Sequence, residues 1–520
     1  MNVANSMLSV GKDADPAVLS DGTILTYQEL RTQTSHVSSC LLARGHQKGD
    51  RIGLFAENSP FFVTAYLAII RAGLVAVPLQ VELSPDALVK IALDSGMSEV
   101  LVSRRLALRA RAWTVKADVA VLGEPELKDL TSTASTKMPD ITPAVDLAAI
   151  MFTSGSTGAA KGVMITHRNI ESNARDIMSY LGLHRQDRVM VVLPFHYCFG
   201  LSLLHTHLMA GASVVLNNAF RLFPEQMLEE MQTKECTGFA GVPSTYQILL
   251  RNSRFRSLSF PKLRWFQQAG GKLPDACIQE LVHSFPQVRF FLMYGQTEGT
   301  ARLSYLPPER LADKLGSIGK GLPSTRLEVL KADGTPVVPG SSETGEIVAS
   351  GDNVALGYWN DPAETAAFFK NGKLHTGDLA RVDQDGFIYF VERERDMIKP
   401  GGNRVSAKEV EDVIAEVPDV IEVAVVGAPH ELLGEAIKAF VVLRPDAGIT
   451  AKDIENHCRT RLPAFKTPHE IHFLRSMPHN AAGKILKPKL REMAGKPPPV
   501  QETASAELAR PSAPALIQST

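Results

Sequence analysis

Between Arg51 and Ser103 the chain alternates short apolar runs with segments of helical length, and this alternation constrains the fold more than any other feature. Arg51 to Ala56, Leu74 to Pro78 and Glu99 to Ser103 read as strands, and Phe61 to Arg71 and Pro85 to Asp94 as helices. Strands that are apolar throughout and separated by helices need cover on both faces, which predicts a parallel sheet of βα units. Upstream, Thr26-Tyr27-Gln28-Glu29 is a capping box that opens a helix, and Gly45 is placed to end it. The alternation resumes at Ala148 and runs to about Phe290. Residues 123 to 146, polar and rich in Ser, Thr and Pro, read as an excursion linking two sheet units.

Residues 316 to 390 change character, with frequent glycines and short strands such as Glu346 to Ala349 and Phe387 to Val391. A smaller β-rich subdomain is expected there. After the charged run Glu392-Arg393-Glu394-Arg395-Asp396 comes a compact α+β stretch. It has a second capping box at Ser406-Ala407-Lys408-Glu409, strands over Val420 to Val426 and Ile437 to Leu443, and a helix over Ala451 to Arg461. The fold class is therefore α/β: a large N-terminal domain of parallel-sheet βα units with a small β-rich subdomain over residues 1–392, a boundary at 393–395, and a small α+β C-terminal domain over 396–495. The tail, 496–520, is rich in Pro, Ala and Ser and is expected to be disordered.

Composition narrows the function classes. With 520 residues and 44% hydrophobic content, the chain holds more than one core. Lys and Arg number 55 against 56 Asp and Glu, a net charge of -1, which leaves no electrostatic footprint for nucleic acid or an acidic membrane surface. The five cysteines are scattered, odd in number and without C-x-x-C spacing, which argues against a disulfide framework or a zinc site. Met1 to Pro16 has no apolar signal-peptide core, and the longest apolar stretch, Tyr66 to Leu79, is broken by Arg71, Gly73 and Pro78. A soluble cytoplasmic protein without an integral membrane segment is expected.

The strongest chemical signal is Thr153-Ser154-Gly155-Ser156-Thr157-Gly158-Ala159-Ala160-Lys161-Gly162, which follows an apolar strand, Ala148 to Phe152. Its glycines let the backbone expose N–H groups, its hydroxyls add donors, and Lys161 adds a point charge, a combination suited to a triphosphate. It is not the common P-loop, which needs Gly where Ala160 stands and Ser or Thr where Gly162 stands. The competing reading is a Ser/Gly-rich surface turn.

This segment resembles the phosphate-binding loop of the adenylate-forming superfamily of acyl-CoA synthetases, peptide-synthetase adenylation domains and luciferases. Further signatures recur in order: Tyr294-Gly295-Gln296-Thr297-Glu298, His375-Thr376-Gly377-Asp378, Arg393 with Asp396 and Lys399, and Lys484 in Ala482-Gly483-Lys484. The resemblance covers about residues 20 to 490 and is closest in character to fatty-acid–CoA ligases. It implies ATP and Mg2+ as cofactors. The ring of Tyr294 can stack on a purine, Thr297 can bond a phosphate oxygen, and Glu298 has the family's magnesium role. By the same resemblance Asp378 binds the ribose with help from Arg393, and Gly270 and Gly271 match an adenine-side glycine pair, though Lys272 stands where a small residue is expected. Lys484 matches the catalytic lysine of adenylation. The charged run matches a hinge about which a mobile C-terminal domain rotates, so that one site meets Lys484 in a first step and Gly401-Gly402 in a second. Glu394, at the pivot, replaces the expected Lys or Asp. Taken singly, a Tyr-Gly turn, a turn-forming Asp or a lone Lys would be ordinary structure; only their order raises them to a site.

Pro194-Phe195-His196-Tyr197-Cys198-Phe199-Gly200 aligns with the segment that shapes the acid pocket. It carries no Asp for an α-ammonium, which disfavours an amino acid. His196 would lie near the carboxylate; its alternative is a packed histidine at a strand end. Phe195, Cys198, Gly200, Gly241, Pro243 and Met293 are candidate walls, mostly apolar, and favour a fatty or other aliphatic acid over an aromatic one. The expected activity is acid plus ATP to acyl-AMP and pyrophosphate, then transfer to CoA. The alternatives are an acyl-AMP ligase that loads the phosphopantetheine of an acyl carrier protein, and a non-catalytic nucleotide-binding scaffold.

Overall fold

The computed structural model describes residues 2–20, 22–130, 143–154, 160–393, 397–403, 405–445, 447–480, 483 and 485–495. The chain is a mixed α/β fold with a large N-terminal domain, a β-rich part and a small C-terminal domain. The expected strands and helices are present, with ends moved by a residue or so: strands Arg51–Phe55, Val75–Pro78 and Glu99–Val102, helices Pro60–Arg71 and Pro85–Ser95. The helix Tyr27–Ala43 has both bonds of its capping box. Ser59 caps Pro60–Arg71 by accepting from the Phe62 N–H, and every residue from Phe62 to Ile70 is buried. That helix is apolar all round because it lies between two sheets, not on one.

The first of these sheets has six strands, in the order Ala120–Gly123, Glu99–Val102, Arg51–Phe55, Val75–Pro78, Leu147–Ser154, Ala160–Thr166. All neighbours pair in parallel except the last two, which form an antiparallel hairpin. The second has nine strands: Lys320–Gly321, Ser304–Leu306, Arg289–Tyr294, Trp265–Gln268, Gly238–Gly241, Arg188–Val191, Ser213–Leu216, Pro16–Ser20, Thr23–Thr26. A layer of helices, including His167–Leu181 and the buried stretch of Cys198–Met209, fills the space between them. The β-rich part is a five-stranded sheet in which Asp378, on Lys373–Val382, stands opposite Arg393 at the end of Ile388–Arg393.

Two expectations about local structure need correction. The polar segment after Gly123 starts as a helix, Glu124–Leu130, and does not lead to a new sheet: Leu147–Ser154 returns to the same sheet beside Val75–Pro78. The strands on either side of the phosphate-loop sequence pair with each other, Thr153 with Lys161. At Ser406 only half of the expected capping box forms. The Ser406 hydroxyl accepts from the Glu409 N–H, but the Glu409 carboxylate reaches out to Lys466 at 2.7 Å. An ion pair with a residue far along the chain has displaced the local bond.

The C-terminal domain is a three-stranded sheet, Val420–His430, Gly434–Leu443 and Glu470–Phe473, backed by the helices Ala407–Ala415, Ala451–Arg461 and Lys487–Ala494. Its own clusters of buried apolar side chains, around Val425 and Phe440, are separate from those of the large domain. No helix among the described residues is long and apolar enough to cross a membrane. The tail at 496–520 and the pivot Glu394 lie outside the described residues.

Candidate active site

Three sheets and the C-terminal domain meet at one edge, and the motif residues gather there. Tyr294 ends the strand Arg289–Tyr294, and its hydroxyl donates to Asp378 Oδ2 at 2.6 Å. Residues 84 positions apart are thereby joined, with Arg393 across the ladder from the carboxylate. Gly295 must be glycine, since a Cβ there would overlap the Ala301 carbonyl oxygen. The turn that follows places Thr297 against Cys198, its hydroxyl donating to the sulfur at 3.4 Å.

Glu298 accepts from the Tyr358 hydroxyl at 2.8 Å, and the Lys161 ammonium lies 5.6 Å above the same tyrosine ring while pairing with Glu364. Lys161, Tyr358 and Glu298 thus form one chain of contacts from the hairpin to the second motif. Thr153 sits at the hairpin, its hydroxyl donating to the Lys161 carbonyl at 3.4 Å. Gly155, Ser156, Thr157 and Gly158 lie outside the described residues, as does the side chain of Ser154. With Glu364 taken up by Lys161, Glu298 is the carboxylate of this pair left for an ion, which suits one held mostly by nucleotide phosphates, the habit of magnesium. Among the described residues there is no cluster of three or more acidic, histidine or cysteine side chains that would make a self-sufficient metal cage.

The Gly270-Gly271 pair rests on Val242 and Pro243, leaving room for only small contacts, and Gln268 Nε2 donates to the Gly271 carbonyl at 2.8 Å. Lys272, the departure from the family pattern, reaches Asp412 of the C-terminal domain at 2.8 Å. Burial pushes the Asp412 carboxyl up, but Lys408 and Lys272 outweigh it and hold it below the usual range.

His196 is buried at one wall of a cleft of about 210 Å³. Its Nε2 has no hydrogen-bond partner among the described residues. Burial lowers its pKa to about 3, so the imidazole is neutral and offers a hydrogen bond, not a charge. Gly483 lines the same cleft, its carbonyl accepting from Ser244 Oγ at 3.0 Å, while Arg221 donates to the Asn480 carbonyl at 3.0 Å. Lys484, next in the chain, lies outside the described residues. Gly401 packs on Leu433 in the C-terminal domain and Gly402 is exposed; neither lines the cleft.

None of the six expected walls, Phe195, Cys198, Gly200, Gly241, Pro243 and Met293, lines the cleft beside His196. Phe195 is wholly buried against Phe62, with ring centroids 5.3 Å apart. Gly200 is needed because a Cβ would strike the Pro194 carbonyl, and Gly241 packs on Thr245.

The AMP-binding enzyme family model matches residues 10–359, and that of the AMP-binding enzyme C-terminal domain matches 409–484. The chain belongs to the AMP-binding enzyme family. Among its relatives, a feruloyl-CoA synthase of an Amycolatopsis species is 34% identical over 484 residues, 92% of this chain and 96% of that one. A long-chain-fatty-acid–CoA ligase of Escherichia coli is 32% identical, covering 94% of this chain and 93% of the other. Among solved structures, the O-succinylbenzoate coenzyme A synthetase of Bacillus subtilis in complex with ATP and magnesium superposes with a TM-score of 0.83 at 29% identity, over 94% of this chain and 99% of that one.

Two residues of this AMP-binding enzyme escaped the sequence reading. Asn58 donates to the Leu193 carbonyl at 2.9 Å and accepts from the Phe195 N–H at 2.8 Å, clamping the segment that carries His196. Arg302, three residues past the second motif's last glycine-flanked turn, is buried behind Met293 and Phe199. No motif marks Asn58. The signal for Arg302 was a cation in an otherwise apolar run, Ala301 to Leu306.

Proposed function

We propose that this AMP-binding enzyme is an acid–CoA ligase that works in two half-reactions. A carboxylate oxygen attacks the α-phosphorus of ATP, the bond to pyrophosphate breaks, and acyl-AMP forms. The CoA thiol then gives up its proton, the thiolate attacks the acyl carbonyl, and AMP leaves with the electron pair. The observation that carries this reading is the convergence on one edge of Tyr294 with Asp378, of Lys161 with Tyr358 and Glu298, and of His196 across a cleft from Gly483.

On this reading Asp378 and Arg393 hold the ribose, Tyr294 and the Gly270-Gly271 backbone border the adenine, and Thr153 to Gly158 with Lys161 and Thr297 cradle the phosphates. Gly295 and Gln296 shape the turn that presents Thr297. Glu298 would hold magnesium, which would supply positive charge to offset that of the phosphates. His196, neutral and unpaired, donates to the acid's carboxylate and orients it for attack. Lys484 is the cation for charge developing on the α-phosphate. Gly483 in the cleft supports the adenylating orientation of the lid. The hinge at 393–395 divides residues 1–392 from 396–495, and rotation there would bring Gly401-Gly402 to the site for thioester formation.

The acid is aliphatic on the reading that the apolar Met293 and Cys198 side chains border it; a phenylpropenoic acid is the second reading, favoured by the 34% identity to a feruloyl-CoA synthase. CoA is preferred to a carrier protein as acceptor because CoA stands in the names of both relatives and of the structural neighbour. All five cysteines are free thiols, which suits the cytoplasm.

Acid-dependent ATP–pyrophosphate exchange over fatty, aryl and dicarboxylic acids tests the first half-reaction, and CoA-dependent AMP release the second. Exchange that vanishes in Lys484→Ala and on chelation of magnesium is expected. Folded, ATP-binding protein that exchanges with no acid would overturn the reading and leave the nucleotide-binding scaffold.

A further inference from the structure

Arg302 is 1% exposed and among the largest fully buried side chains. Its Nη1 donates to the Tyr180 hydroxyl at 2.6 Å and to Gln267 Oε1 at 3.2 Å, and it touches Met293 Sδ. The guanidinium lies 5.1 Å from the centroid of the Phe199 ring. None of these groups is an anion. Nη2 has no partner among the described residues, and neither has Gln267 Nε2. The Arg302 bond to Gln267 Oε1 fixes the amide's orientation, so that Nε2 is a true donor left over. Two unanswered donors, one of them charged, thus share a site.

A buried cation without a counter-charge is costly by several kcal/mol, far more than phenol, amide and ring contacts return. Desolvation pulls the Arg302 pKa down, as expected for an uncompensated charge. Yet the backbone goes to some length to hold it. Thr300 and Ala301 have φ of 52° and 82°, left-handed values that non-glycine residues rarely adopt. Asn173 and Asn353 both donate to the Arg302 carbonyl, at 2.7 and 2.9 Å. Structure that holds a strained turn and an unpaired charge in place makes sense where something else supplies the anion.

The location says what that is. Phe199 and Met293 flank the guanidinium, Cys198 lies near enough to influence its charge, and Thr297 bonds to Cys198. Cys198 and Met293 are the acid-pocket walls expected from sequence, and Thr297 belongs to the motif that on the adenylating reading faces the phosphates. We propose that Arg302 and Gln267 form an anion-recognition subsite in the acid pocket, so that the activated acid carries a second carboxylate distant from the reacting one. This rests on the adenylating reading above and adds the far end of its substrate. The Arg302 fork takes the carboxylate through Nη2, Gln267 Nε2 donates to its other oxygen, and His196 holds the reacting carboxylate at the opposite end.

The test is ATP–pyrophosphate exchange with the full chain, using dicarboxylic acids, their monomethyl esters and monocarboxylic acids of equal chain length, aliphatic and aromatic. Wild type is expected to favour a diacid over its matched monoester and monoacid by about 100-fold or more in kcat/KM, the discrimination typical of a site whose buried donors would otherwise be unpaired. Arg302→Met should lose about 100-fold on the diacid, mainly through KM, with the monoacid held or improved, so that the ratio collapses. Its melting temperature without acid should equal or exceed that of wild type, because an uncompensated charge has gone; a merely structural arginine would show the reverse. Gln267→Leu should lose part of the preference, and carries the test if Arg302→Met fails to fold. Exchange by wild type with monoacids as good as or better than with diacids overturns the subsite while leaving adenylation intact. Absence of exchange with every acid in folded, ATP-binding protein overturns both.

Discussion

At the scale of single residues, the site depends on contacts that tolerate little change. Gly295 has the Ala301 carbonyl where a Cβ would stand, so Gly295→Ala must displace the turn carrying Thr297 and Glu298. A displacement of this kind costs about 100-fold in kcat/KM when reacting groups move by an ångström. Exchange kinetics and a melting curve together will show whether activity falls that far while the protein stays folded. Asp378 is 1% exposed and bonded to Tyr294. If it holds the ribose, Asp378→Ala removes charge-assisted hydrogen bonds and raises KM for ATP about 10-fold or more. Titration of exchange against ATP will measure it, and an unchanged KM would remove Asp378 from the nucleotide site.

At the scale of elements, the C-terminal domain is held against the large domain by a few polar contacts. Among the described residues they include Lys272 with Asp412, Gln247 with the Ile421 carbonyl, Arg221 with the Asn480 carbonyl, Ser244 with Gly483, and Glu392 with Ser406 and the Lys408 N–H. The Lys272 and Asp412 side chains are each 33% exposed, so their pair contributes at most about 1 kcal/mol. That is small for stability but would matter for the proposed equilibrium between two lid orientations. Lys272→Ala should lower pyrophosphate exchange by up to about five-fold while leaving CoA transfer from supplied acyl-AMP unchanged or faster. Equal slowing of both half-reactions would show that the pair does not select an orientation. Element-scale structure was largely legible from sequence where apolar runs and caps were strong, as at Tyr27–Ala43 and Ala451–Arg461. It was not legible at Ser406, where Lys466 draws Glu409 away from its local partner.

At the scale of the whole molecule, four histidines are buried in the large domain, and this sets a pH limit on folding. Burial lowers His196 and His205 to about 3, and His167 and His207 to about 4, from the usual 6.5. The unfolded chain binds these protons below pH 6.5 and the folded chain does not until the pH is far lower. Stability is therefore fully present above about 6.5 and is lost as pH falls toward 4, by at most about 1.4 kcal/mol per pH unit for each histidine. Urea midpoints measured from pH 7.5 down to 5 should fall steeply below 6.5. A flat profile would mean that the histidines are protonated in the fold. Buried Glu392, its carboxyl pushed up by burial although it accepts from the Lys408 N–H and Ser406, works in the opposite direction at lower pH.

The sequence by itself determined the local elements, because hydrophobic period and capping act over a few residues, and it determined the motif residues, because phosphate and ribose chemistry needs particular side chains in order. Which strands become neighbours was a different matter. Pro16–Ser20 pairs with Ser213–Leu216, almost two hundred positions on, and the polar segment after Gly123 loops back to its own sheet. Only the tertiary structure decided these pairings, since they rest on burying one face of each of two sheets against a shared layer of helices and the other face in a cluster of its own. It also decided what surrounds Met293. From sequence, Met293 and its neighbours predicted an apolar cavity. In the fold, Arg302 turns inward among them with two donors unanswered at its site, and whether a charge is paired depends on distance in space, which no order of residues along a chain can state.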